Sequence, residues 1–320
     1  MQSAVDIVLN SPHNTNKIAA ALFGIGPDGQ PFCVRATNHW PDPILHNIGE
    51  DTRIGECSGT VHAEMACLLA APCTNETSIC ITDPFCPNCA KNMAEAGIKA
   101  IYLDHKGFNK DFAARRADEF LDLSLAIVAR AGIAVYEINR KAESITPLFT
   151  PHADHPLSPD LIPIITKPAA AADQKDLLEL THLHTPVLGH TPFAAAYVRY
   201  PSNQTAEWII TPQHCTLGYT LPQDCDLHTF DQKPMGKYTP MMEPINRLLT
   251  QGARRGAVIQ KNHLFSSRIP TSRELVNMVG AGIKTLTLLN IHPPRDPESV
   301  QALSQLQNAG ILTLTTGDDI

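Results

Sequence analysis

No apolar run in this chain approaches the roughly 18 residues that a membrane-crossing helix needs, so nothing in it is expected to span a bilayer. The opening residues MQSAVDIVLNSPHNTN lack a basic leading segment and carry Asp6 inside their only apolar stretch. They do not read as a secretory signal. An excess of positive charge is also missing. The formal net charge is −7, and neither half of the chain is net basic. Nucleic-acid binders usually present a basic face, whereas the tight basic pairs here, Arg115-Arg116 and Arg254-Arg255, read as solvated helix surface. That balance favours a small-molecule substrate over tRNA. Nine cysteines is an odd number without regular spacing, unlike the framework of a small disulfide-rich secreted protein. They read as reduced thiols of a cytoplasmic protein.

What is present is enough for ordinary buried cores, with 43% hydrophobic residues in a length of 320 that suits about two domains. His62-Ala63-Glu64 is followed, 24 residues after the histidine, by Cys86-Pro87-Asn88-Cys89. One imidazole and two thiolates suit Zn²⁺, and three protein ligands leave a fourth corner open, as catalytic zinc sites require. Glu64 is near enough in sequence to handle the proton of a water in that corner without binding the metal. C-x-x-C alone also suits a redox pair or half of a structural zinc knot. Cys57, Cys67, Cys73 and Cys80 are near enough to supply a fourth ligand, but no second C-x-x-C or C-x-x-H closes the usual spacing.

The first half alternates strands and helices. A hairpin is expected from Asn16–Leu22 and Pro31–Ala36 around the turn Gly26-Pro27-Asp28-Gly29. A helix with Thr60 as its N-cap carries His62, Glu64 and the apolar run to Ala71. Ser78–Thr82 reads as a buried strand, and Cys86–Ala96 as a helix with both cysteines at its N-terminus, where the dipole favours thiolates. Lys99–Asp104, a long helix over 111–131 and Ile133–Ile138 form a crossover unit, so the two strands should be parallel. Residues 146–168 hold Pro147, Pro151, Pro156, Pro159, Pro163 and Pro168, a composition suited to an extended linker, and a helix from Ala169 to Leu183 follows.

Beyond it the plan restarts. Ile18-Ala-Ala-Ala-Leu22 is echoed by Phe193-Ala-Ala-Ala-Tyr197 at an offset of 175, and the segment from Asn92 to Lys99 by that from Asn277 to Lys284 at an offset of 185. A helix at 297–309 and a strand Leu312–Thr315 repeat the crossover. Ordered echoes with a slowly drifting offset indicate duplication. The second copy lacks the ligands: Cys86 falls on Thr271, Cys89 on Glu274, and His62 on Met241 or Met242, with Glu243 a partner for Glu64.

The motif resembles the zinc-dependent cytidine/deoxycytidylate deaminase superfamily, whose signature is H-x-E…P-C-x-x-C. The parallel final strands make the chain similar to the deoxycytidylate and tRNA-adenosine deaminase branch. The chain departs from the pattern in reading Pro84-Phe85-Cys86, with proline one place back from the first cysteine. The resemblance implies an α/β fold, a three-layer α/β/α sandwich in two tandem copies: a catalytic domain over 1–145, a Pro-rich linker and helix over 146–184, and a degenerate domain over 185–320. It implies an intramolecular pseudo-dimer, with further homo-oligomers open. It implies Zn²⁺ held by His62, Cys86 and Cys89, and hydrolytic attack at the amine-bearing ring carbon with Glu64 as proton carrier. Asn38, Ala63, Pro84, Phe85 and His105 are the implied substrate-binding residues; His39 and Trp40, which follow Asn38, are similarly placed candidates, and Arg53 or the loop from Lys106 to Lys110 is a candidate contact for a substrate phosphate. A cytosine nucleoside or nucleotide is the expected substrate. A purine deaminase, acting on guanine or tRNA adenosine, and a binding module with structural zinc are the alternatives.

Overall fold

Ala19 to Leu22 are all buried, yet they serve two different cores: Ala20 and Leu22 face one apolar cluster, Ala19 and Ala21 another. A strand covered on both faces shows this period of two as an unbroken apolar run. In the computed structural model, which describes residues 1–110, 120–152, 163–219 and 239–316, this strand is β1 (Ala19–Ile25). It pairs antiparallel with β2 (Pro31–Thr37) as the expected hairpin, closed by Gly29 at a φ of 76°.

The first copy continues with α2 (Ala63–Ala70), β3 (Ser78–Ile81), α3 (Pro87–Glu95), β4 (Ala100–Asp104), α4 (Leu125–Arg130), β5 (Ala134–Asn139) and β6 (Ser144–Phe149), preceded by a short α1 (Gln2–Val5). Its sheet has the order β2-β1-β3-β4-β5-β6. β3, β4 and β5 are parallel, as the crossover between the last two required. Of the long helix expected over 111–131, residues 111–119 lie outside the described residues; Phe120–Ser124 forms a π-helical turn that runs into α4.

The second copy comprises β7 (Ile165–Pro168), α5 (Gln174–Leu183), β8 (Phe193–Tyr200), β9 (Thr205–Pro212), α6 (Pro244–Arg255), β10 (Val258–Ser266), α7 (Ser272–Gly280), β11 (Thr285–Leu288), α8 (Pro297–Asn308) and β12 (Thr313–Thr316). Its sheet order is β7-β9-β8-β10-β11-β12. Without the sixth strand of each sheet, β2-β1-β3-β4-β5 and β9-β8-β10-β11-β12 are one topology written twice. The sixth strands sit on opposite edges, β6 beside β5 and β7 beside β9, both antiparallel. They come from the segment expected as a linker. Pro147 and Pro168 are accommodated because an edge strand can spare a backbone donor.

The helix layers of the two copies face each other. α6 packs on α2 and α3, and a single apolar cluster holds Leu68 and Met93 of the first copy together with Leu248, Leu249 and Val279 of the second. On the far face of the second sheet, Leu177 and Leu180 of α5 pack on Tyr197, Trp208 and Phe265. On the far face of the first, Ala4 of α1 packs on Ala19, Ala21 and Cys80. The chain is thus an α/β protein in two copies, each layered α/β/α. Among the described residues, no helix is long and apolar enough to cross a membrane.

Candidate metal centre

Val61 is held extended by a backbone bridge to His39, so the cap of α2 lies two residues beyond the expected one. His62, not Thr60, occupies the N-cap position, with φ −73° and ψ 151°; the Thr60 hydroxyl pairs with that of Ser58 instead. Cys86 is likewise the N-cap of α3, Pro87 opens the helix with its fixed φ, and Cys89 is the third residue of the helix. Both sulfurs therefore sit beside unpaired backbone N–H groups at the positive end of a helix, which favours thiolates.

The three donors converge. His62 Nδ1 lies 3.3 Å from Cys89 Sγ and 3.6 Å from Cys86 Sγ, and all three ligand atoms fall within 4.8 Å of one another. Tetrahedral Zn²⁺, with bonds of about 2.0 Å to nitrogen and 2.3 Å to sulfur, holds such atoms about 3.6 Å apart. The donor set fits the ion. The Cys89 thiol is pushed well up, first by its hydrogen bond with Cys86, then by burial and by the Cys86 charge. Two thiolates this close call for a cation between them.

The other nearby cysteines are committed elsewhere. Cys57 donates to the Ile54 carbonyl, Cys67 to that of Ala20 and Cys73 to that of Arg254, while Cys80 accepts from the N-terminal amine. Among the described residues no fourth protein donor joins the cluster.

Glu64 follows His62 on the first turn of α2 and is 3% exposed. Burial raises its carboxyl above the ordinary range; the His62 charge and a hydrogen bond with Cys89 oppose that rise. Over His62 and Cys86 opens a cavity of about 350 Å³, walled by Trp40, Arg53, Glu56 and Arg273. His13 stacks on Trp40 with ring centroids 4.7 Å apart. Its size and mixed lining suit a small organic ligand. The Glu56 carboxyl is raised by burial and by Asp296 and Glu298, against Arg295 and Arg273.

The residues expected around a substrate are placed differently from one another. Arg53 and Trp40 line the cavity, but Asn38 and His105 are not in its lining. The Asn38 amide is engaged within the protein: its oxygen accepts from the Ser11 hydroxyl and the Ile18 N–H, and its nitrogen donates to the Asn16 carbonyl. It staples the N-terminal segment to the end of β2. His105 pairs with Glu137 at 2.7 Å. Phe85 is 2% exposed and meets Phe120 edge-on at 5.2 Å within the core. Ala63 is fully buried and Pro84 half-buried. The His39 ring pairs with the Thr37 carbonyl.

The second copy corrects one alignment. Glu243 caps α6 and so stands in the place of His62, not of Glu64. Its carboxylate takes Arg268, Arg295 and Gln213. Thr271 caps α7 in the place of Cys86, and Glu274 stands in that of Cys89. The positions equivalent to the three candidate donors hold an ion-pair cluster and a helix cap. Sequence reasoning did not find His13, Glu56 or Arg273 as cavity residues. Asn88 lay inside the motif; Arg273 had no local signal, because only the docking of the two copies brings it here.

No protein-family model matches the chain, and no curated protein matches it. Among solved structures, a dCMP deaminase from the cyanophage S-TIM5, in complex with dCMP and dUMP, is similar over 43% of this chain and 92% of its own. The identity is 19% and the TM-score 0.31.

Proposed function

We propose that the chain is a zinc-dependent hydrolytic deaminase of a cytosine nucleoside or nucleotide, its metal held by His62, Cys86 and Cys89 and its protons carried by Glu64. The observation that carries this reading is the convergence of three zinc-type donors, with no fourth among the described residues, under a cavity and beside a buried carboxylate. That is the open arrangement of a catalytic site and not the closed one of a structural knot.

Zinc bound there would acidify a water and so supply a nucleophile near neutral pH. The remaining chemistry belongs to the chain. Glu64 lies beside the donor cluster without being one of its three donors, and burial raises its carboxyl, which suits a group that takes up the water's proton. With that water attacking C4 of the ring, Glu64 would return the first proton to the ring nitrogen, then take the second from the added hydroxyl and pass it to the departing ammonia. Trp40 and His13, stacked on each other, both line the cavity and offer flat ring walls to a base. The first copy is then the catalytic domain and the second, without donors at the equivalent positions, is not.

The test is ammonia release by the zinc-loaded protein against cytosine, cytidine, deoxycytidine, dCMP, guanine, adenosine and tRNA. Glu64→Gln is assayed in parallel. Turnover of a cytosine nucleoside or nucleotide is expected, reduced at least about 100-fold in the variant with zinc content unchanged. Turnover of guanine, adenosine or tRNA alone would reassign the substrate. Silence across the panel with zinc bound would leave a binding module.

A further inference from the structure

In the second copy, Thr271-Ser272-Arg273-Glu274 occupies the place that Cys86-Pro87-Asn88-Cys89 has in the first, at the opening of the equivalent helix. The two metal-binding positions have become a capping box: the Thr271 N–H donates to Glu274, and the Glu274 N–H to the Thr271 hydroxyl. This satisfies the helix end without a metal. The residue between them, Arg273, crosses to the first copy. Its Nη1 donates to the Thr60 carbonyl at 2.6 Å, and its Nη2 reaches the Ser58 carbonyl and hydroxyl at 3.5 and 3.4 Å. Thr60 is two residues before His62.

The same stretch of cavity wall is held at other points by the second copy. The Gly55 N–H donates to Gln305 Oε1 at 2.8 Å, Gln305 Nε2 donates to the Arg53 carbonyl at 3.2 Å, and the Glu56 N–H reaches the Ser272 hydroxyl at 3.3 Å. Gly55 itself has a φ of +54°, and a Cβ there would lie 2.5 Å from the Glu298 carbonyl oxygen. The wall is built for this close approach. Asn88 and Arg273, at equivalent positions of the two copies, both line the cavity.

We infer that Arg273 is a positioning residue for the zinc pocket, through which the copy that carries no metal donors fixes the wall of the copy that does. The inference rests on the deaminase reading for its kinetic consequence only. The planar guanidinium presents fixed, charge-assisted donors to Thr60 and Ser58, which a lysine ammonium reproduces in charge but not in geometry. Gln305 holds the opposite end of the wall.

The experiment compares full-length, zinc-loaded wild type with Arg273→Ala, Arg273→Lys and Gln305→Ala. It reads amide hydrogen exchange by peptide, zinc content, and kcat and KM on the substrate found in the panel. In Arg273→Ala, exchange over residues 53–61 should quicken roughly 10-fold or more, the loss of a charge-assisted hydrogen bond. α2 and α3 should be unchanged and zinc retained. KM should rise roughly 10-fold with kcat within about threefold, and Arg273→Lys should recover part of both effects. Exchange over 53–61 within twofold of wild type would overturn the inference. So would uniform acceleration across both copies, the mark of a merely structural contact. Should Arg273→Ala not fold, Arg273→Lys and Gln305→Ala decide by the same exchange readout. Exchange needs no turnover, so an inactive wild type would defeat the deaminase reading while leaving this one to be judged separately.

Discussion

Cys89 is the donor whose chemistry depends most on a cation. It is 2% exposed, its thiol is pushed up by its bond with Cys86 and by burial, and it also reaches Glu64. Removing it takes away one of three donors. In Cys89→Ala, zinc is expected to fall from about one per chain to well below half after dialysis against a weak chelator, since a two-donor site forfeits the tetrahedral set. Glu64→Gln should keep its zinc under the same treatment, and metal analysis of the pair separates a ligand from a proton carrier. These residues were legible in the sequence because the motif is local: a helix N-cap fixes His62 and another fixes Cys86 and Cys89. Asn38 was not legible in the same way. Its role depends on Ser11 and Asn16, residues some two dozen positions away that no motif connects to it.

At the scale of elements, α3 carries two buried charges as well as the cysteines. Lys91 and Glu95 stand four residues apart on one side of the helix. Lys91 Nζ donates to the Thr239 and Met241 carbonyls. Glu95 accepts from Arg247 Nε at 2.9 Å, His214 Nε2 at 3.1 Å and Gln251 Nε2 at 2.8 Å, all from the second copy. Burial alone would raise the Glu95 carboxyl, but its bond to His214 and the charges of His214 and Arg247 outweigh that and hold it down at about 2. A carboxyl depressed from 4.5 to about 2 contributes stability that is complete above pH 4.5 and is lost as the pH falls toward 2. Glu95→Ala is expected to cost about 3–5 kcal/mol at pH 7, because Arg247, His214 and Gln251 all lose a buried acceptor. In the same variant the loss of stability between pH 4.5 and 2 should shrink. Urea unfolding of both proteins at pH 7 and pH 3 measures each effect. No pattern within the sequence of the first copy tells that the partners of Lys91 and Glu95 arrive from the second.

At the scale of the molecule, the duplication could be read from two ordered echoes, and the crossover strands from the helix between them. How the copies dock could not. The docking buries a face of α3 that carries charges, and it turns a supposed linker into an edge strand for each sheet. Both are outcomes of tertiary packing that overrides local composition. The packing also bears on cooperativity. Leu68 and Met93 share one apolar cluster with Leu248, Leu249 and Val279, and the Glu95 network crosses the same boundary. Separating the copies would expose that cluster and strip Glu95 of Arg247, His214 and Gln251, so neither copy keeps a complete core alone. The chain is therefore expected to unfold in a single transition, with calorimetric and van't Hoff enthalpies in agreement, instead of the two steps of independent domains. A fragment ending at residue 152 should be insoluble, or compact with its near-ultraviolet dichroism lost. Two resolved transitions, or a soluble fragment with native near-ultraviolet dichroism, would mean that the interface is a docking of two finished domains, and the second copy would then be dispensable for folding the first.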